Sequence, residues 1–217
     1  MAILRRSAGV LLAGAALATA MLVPAAVSPA LASASATWTI TPGGTITATA
    51  PGATVTDTTN GNKLGCTGSS LTETLKSGKG LSGTNAGSLS KFSLTKCGAD
   101  GIFIGILAKH TPWHVSLTAY NAKTGVTTIA VTGIHLAVSQ KSLGCTGVVD
   151  GTSATADNGK IMMSYSNKTH DLTTWKTEGN LHLYNVSSNC LGVVNTGDKV
   201  SLSAVYEVSP AQTITSP

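Results

Sequence analysis

The chain has 217 residues, enough for one sizeable domain, with 11% charged and 4% aromatic residues. Its formal charge of +5 is scattered, without any run of lysines. A nucleic-acid binder carries a clustered basic stripe, usually with arginine, so that class is excluded.

The first 36 residues read as a secretory signal. Arg5 and Arg6, the only arginines, precede an uncharged Ala/Leu/Val run from Ser7 to Val23. Pro24 and Pro29 follow, then Ala-x-Ala sites ending at Ala32, Ala34 or Ala36. A positive start, an apolar centre and a small-residue cleavage region define such a leader. The run can just span a bilayer, but Ala and Gly dilute it and the cleavage region argues for removal. No cysteine lies near that region, which argues against a lipoprotein. Without Arg5 and Arg6, the 14 basic residues become 12 lysines against 9 acids. No later apolar run is long enough for a spanning helix.

From residue 37 to 217 the pattern predicts a single secreted all-β domain. "WTITPGGTITATA" alternates on both sides of a Pro-Gly-Gly turn. Asn60-Gly61 reads as a hairpin turn, because Asn and Gly tolerate positive φ. "SSLTETLKSGKG" is the best candidate for a short helix. "SLSKFSLTKC" alternates through Leu89, Phe92 and Leu94 with one slip of phase. "PWHVSLTAY" sets Trp113, Val115, Leu117 and Ala119 on one face, with His114, Ser116, Thr118 and Tyr120 on the other. Trp113 therefore reads as core. After the turn signal "AKTGV", "GVTTIAVTGIHLAVS" supplies one or two strands. "KIMMSYS", "NLHLYNV" and "KVSLSAVYEV" complete the set, punctuated by Asn158-Gly159, "TEGN" and "NTGDK". Alternation of period two and frequent turn chemistry predict an antiparallel β-sandwich, with a closed or partly open barrel as the alternative.

Four cysteines remain: Cys66, Cys97, Cys145 and Cys190. The nearest two are 31 residues apart, too far for a zinc knuckle and without a Cys-x-x-Cys redox pair. An even count in a secreted chain points to two disulfides. Cys66 and Cys145 each sit in Leu-Gly-Cys-Thr-Gly, and each is followed by a second cysteine near glycine. This hints at pairing within each unit, Cys66 with Cys97 and Cys145 with Cys190; cross-pairing stays open. The units, about Thr37–Lys109 and Thr111–Val208, read either as two weak repeats sharing one core or as a single sandwich whose two sheets each carry a staple.

The stretches "LTKCGADG", "TPWHVSLTAY", "SLGCTGVVDG", "SSNCLGVVNTGD" and "AVYEVSP" resemble a group of uncharacterised secreted β-proteins of actinomycete-type bacteria. The resemblance covers most of the mature chain. It implies compartment and fold, and carries over no functional residue.

Chemistry-bearing constellations are sparse. His110 and His114 lie four apart in "HTPWH", a spacing that suits metal only on a helix. Pro112 and the β-like run argue for a strand, on which the pair would sit about 13 Å apart. His135, His170 and His182 are isolated. No Gly-x-Ser-x-Gly elbow frames a nucleophile. The oxygen-rich loop "GVVDGTSATADNGK", with Asp150 and Asp157, lacks the spacing of a calcium hand and reads as turn. Trp175 and Tyr184 are the candidates for an exposed sugar-stacking platform, and His110 and His114 for weak ligand contacts. The expectation is therefore no catalytic residue, no metal and no cofactor. The chain is expected to be a secreted or cell-wall-associated binding or structural domain. Its candidate partners are a cell-wall glycan or a surface protein. An extracellular hydrolase is the alternative.

Overall fold

A computed structural model describes residues 37–99 and 101–217. The expected leader, 1–36, lies outside the described residues. The regular structure of the described chain is nearly all strand, with one short 3-10 turn. β1 (Thr37–Thr41) stands apart from the main wall. The wall then runs as eight staves, most of them made of two strands in line. The first is β2 (Gly44–Ala50) with β3 (Ala53–Asp57), and the second is β4 (Lys63–Cys66) with β5 (Gly68–Leu75). β6 (Gly78–Ser82) leaves the wall. The third stave is β7 (Gly87–Thr95) with β8 (Cys97–Ala99), and the fourth is β9 (Ile102–Lys109) with β10 (Trp113–Asn121). β11 (Val126–Gln140) is the fifth stave by itself. The sixth is β12 (Cys145–Asp150) with β13 (Gly159–Ser166), and the seventh is β14 (Asp171–Gly179) with β15 (His182–Tyr184). The eighth is β16 (Val200–Ser203) with β17 (Val205–Ser209), after which β18 (Thr213–Thr215) returns to β1.

Each stave pairs antiparallel with its neighbours in the chain. The eighth closes on the first through Val208↔Ala48 and Leu202↔Val55. The result is a closed eight-stave up-and-down barrel, not a sandwich of two sheets. Closure removes every edge from the ring.

The two ends differ. The turns at Asn60–Gly61, at Gly101 and at residues 141–144 and the long connection 185–199 gather at one end, the mouth. At the other end β1, β6 and β18 form a three-stranded sheet, the floor. Trp38, Ile40 and Ile214 are buried beneath it. Buried Gln212 locks it by accepting the Gly43 N–H at 2.9 Å and donating to the Pro210 carbonyl at 2.9 Å.

The wall faces in with apolar and out with hydroxyl residues. On β2, Ile46, Ala48 and Ala50 are buried while Thr45, Thr47 and Thr49 are exposed. That is the reverse of a barrel that meets hydrocarbon on its outside. Among the described residues no helix is long and apolar enough to cross a membrane.

The one slip of phase in the sequence is a β-bulge, and a second bulge interrupts what read as regular alternation. Thr72 pairs with Lys91 and Glu73 with Leu89, which leaves Ser90 as the extra residue. Leu117 pairs with Ile129 and Ala119 with Thr128, which leaves Thr118. In both, the extra hydroxyl donates to the carbonyl across the ladder, Ser90 to Thr72 and Thr118 to Thr128, each at 3.2 Å. The second bulge exposes Ala119, against its expected place beside buried Trp113, Val115 and Leu117. The helix candidate "SSLTETLKSGKG" is strand: Ser69, Leu71, Glu73 and Leu75 are buried at period two. "TEGN" is no turn, because Gly179 still pairs with Ile161 and the stave runs on into β15. Asn158-Gly159 closes an excursion of the sixth stave instead of forming a hairpin.

The disulfides are Cys66–Cys97 and Cys145–Cys190. The first joins the second and third staves where both pass from one strand to the next. The second ties the sixth stave to the short 3-10 turn Ser188–Cys190 in the long mouth connection. Cys66 and Cys145 thus stand four staves apart, on opposite sides of the ring.

Candidate functional site

The barrel is packed towards the floor and hollow towards the mouth. Ile46, Ala48, Val115, Ile129, Tyr165 and Leu172 fill the lower half. Above them lies a cavity of about 510 Å³, lined chiefly by Leu71, Leu89, Ile134, Leu136, Met163 and Leu183, with Tyr206 among its residues. Eight staves enclose a bore that side chains can fill or that can hold one small ligand. This barrel does each in turn along its axis.

The mouth adds a few polar groups. Asp57, Asn62, Lys63, Gln140 and Ser201 reach the cavity. Asp57 accepts the Thr59 and Asn60 N–H groups at 2.9 and 3.3 Å through Oδ1, while its Oδ2 has no partner. Burial, reinforced by neighbouring Asp198, pushes its carboxyl above the usual range. Around these polar groups the rim is apolar and exposed: Ile102, Phe103, Leu143, Leu191 and Val193.

A second cluster sits on the outside of the same wall. On β11, Ile134 and Leu136 line the cavity, so intervening His135 faces outward. His135 is covered by the 151–158 excursion and by His110, which occupies the kink between β9 and β10 at φ 51°. The His110 Nδ1 lies 2.7 Å from Asp157 Oδ1; the His135 Nδ1 lies 2.8 Å from the same oxygen and 2.9 Å from Asp150 Oδ2. The two rings are 4.5 Å apart. Asp150, fully buried, accepts four backbone N–H groups, from Gly151, Asp157, Asn158 and Gly159. The hydrogen bond from His110, with His135 beside it, holds the Asp157 carboxyl below the usual range. Among the described residues, ligand atoms of His110, His135 and Asp157 all fall within 4.8 Å of one another.

The residues singled out from the sequence are dispersed. His114 is exposed on the outer face of β10 and does not join His110. His182 donates to its near neighbour, the Asn180 carbonyl, at 2.8 Å, and His170 is 3.1 Å from the Tyr165 hydroxyl. Tyr184 is half-buried with its hydroxyl donating to the Gly151 carbonyl at 2.9 Å. Trp175 is half-buried nine residues away on the same stave, where the register breaks between Met163↔Thr174 and Ile161↔Gly179. Trp113 is buried as expected, its Nε1 donating to the Lys109 carbonyl at 3.0 Å across the kink. The cavity and His135 carried no signal in the sequence beyond apolar alternation.

Fold and cavity together define a closed, ligand-sized barrel with one hollow half. Comparison with protein-family models, curated proteins and solved structures finds no match. The functional reading therefore rests on geometry.

Proposed function

We propose that this chain is an extracellular binding barrel that holds one small, mainly apolar molecule in its hollow half. The observation that carries the reading is the cavity. Its volume of about 510 Å³ lies inside the span of small-molecule sites, roughly 300–1,000 Å³. Its wall is mainly apolar, aliphatic with Phe92, Trp113 and Tyr206 among it, and most of its polar side chains stand at the mouth, the pattern of a site that binds by burial and orients by few hydrogen bonds. Export is supported by the leader-like first 36 residues and by two disulfides, which persist in oxidising compartments. The likeness to secreted actinomycete-type β-proteins points the same way.

The test is equilibrium titration with an apolar fluorescent probe, 1-anilinonaphthalene-8-sulfonate, followed by displacement with a medium-chain fatty acid. One probe per chain is expected, with displacement by the acid. Leu136→Trp, which fills the hollow from the fifth stave, is expected to weaken the probe at least tenfold while leaving the far-ultraviolet spectrum unchanged. A wild-type protein that binds no probe, or a variant that binds it equally well, overturns the reading.

A further inference from the structure

We propose that His110, His135 and Asp157 form a binding site for a divalent transition-metal ion of the zinc or copper(II) class on the outer wall of the barrel. The three residues come from three separate segments: the kink in the fourth stave, the middle of β11 and the excursion of the sixth stave. Two imidazole nitrogens and one carboxylate oxygen are the donor set that borderline ions prefer. Calcium and magnesium take oxygen ligands instead.

The present spacing is close to what such an ion requires. Donors around tetrahedral zinc, with bonds of about 2.0–2.1 Å, stand about 3.3 Å apart. Here both Nδ1 atoms lie 2.7–2.8 Å from Asp157 Oδ1. A spread of roughly half an ångström makes room, and it falls on side chains free to move: His110 is 57% and Asp157 44% exposed. In the bound state each neutral ring carries its single proton on Nε2 and turns Nδ1 to the ion. Asp150 Oδ2 lies 2.9 Å from His135 Nδ1 and already accepts the Asp157 N–H, so it stands behind the three ligands.

Charge supports the same assignment. Asp150 and Asp157 bring two carboxylates to one spot. Every ion pair among the described residues falls within this cluster, and none of them involves a lysine. Asp150 also fixes the backbone N–H of Asp157 and of Asn158, so the loop that supplies the oxygen ligand is held in place before an ion arrives.

The experiment is calorimetric titration of the protein, without a histidine tag, with zinc, copper(II), calcium and magnesium chlorides. One zinc or copper ion per chain at micromolar affinity is expected, with no heat from calcium or magnesium. Binding is expected to weaken on acidification, because protons compete with the ion for its ligands. His110→Asn and Asp157→Asn are the decisive variants. Both positions are exposed and at positive φ, 51° and 49°, which Asn adopts readily, so folding is retained. Each is expected to weaken zinc at least tenfold, while His114→Asn changes nothing. Absence of zinc and copper binding to the wild type overturns the proposal. So does binding that survives both His110→Asn and Asp157→Asn, or that His114→Asn abolishes.

Discussion

Ile134 and His135 are consecutive on β11 yet serve opposite faces of the barrel wall. Ile134 lines the hollow, and His135 lies outside beneath the 151–158 excursion. Gly159 faces this pair as the ladder partner of Ile134. A Cβ at Gly159 would run into the Ile134 carbonyl and the Leu181 side chain. Gly159→Ala is therefore expected to destabilise the fold by about 2–3 kcal/mol through overpacking. A urea unfolding curve would register the loss as a lower midpoint with an unchanged slope.

Asp150 organises the excursion without touching the cavity. Its carboxylate takes four N–H donors, and removing it leaves those of Gly151 and Gly159 buried without that partner and frees those of Asp157 and Asn158. Asp150→Ala is expected to lower stability by about 3 kcal/mol or more. Hydrogen exchange would show the change concentrated at Gly151 and residues 157–159. Uniform exchange across the barrel would contradict this local role.

Glu73 makes stability depend on pH. It is buried, its Oε1 lacks a partner, and burial pushes its carboxyl from 4.5 to about 7. Between those values the folded chain keeps a proton that the unfolded chain has released. Stability therefore falls as pH rises from about 4.5 to 7 and changes little beyond, by about 3 kcal/mol for a shift of this size. Glu73→Gln is expected to flatten that window and to be more stable than wild type above pH 7. Thermal melts across the window would check both points.

The disulfides differ in what they border. The chain-entropy model assigns each about 3.5–4 kcal/mol for loops of 31 and 45 residues. Cys145 and Cys190 also line the cavity, whereas Cys66 and Cys97 do not. Paired serine replacements are expected to lower stability similarly in both cases. Probe affinity is expected to fall several-fold only for the Cys145/Cys190 pair, measured with the same fluorescent titration.

Much of the wall was legible residue by residue. Alternation placed Trp113, Val115 and Leu117 inside, and the slip near Phe92 marked a real bulge at Ser90. The matched Leu-Gly-Cys-Thr-Gly motifs pointed to the correct disulfides. These signals are local, because a strand's period is written in adjacent side chains. The choice between sandwich and barrel was not local. It rests on β17 pairing with β2 and β16 with β3, across almost the whole chain, and periodicity says nothing about which strand closes on which. The outer cluster was hidden for the same reason. Sequence distance sets His110 beside His114, yet its neighbour is His135, 25 positions on, brought there by the Lys109↔His135 register of β9 on β11. Asp157 read as turn chemistry, and its reach to both imidazoles depends on how buried Asp150 folds the excursion back.

Thr37 and Ser216 meet at the floor, where the Ser216 hydroxyl donates to the Thr37 carbonyl at 2.9 Å. The described chain thus begins and finishes at the same pole. A tether attached beside Thr37 or Ser216 grips the sealed pole and leaves the hollow one facing away. The same adjacency suits circular permutation of the described barrel: Thr37 and Ser216 can be bridged and the chain opened at an exposed tip such as Asn60-Gly61 without redrawing any pairing in the wall.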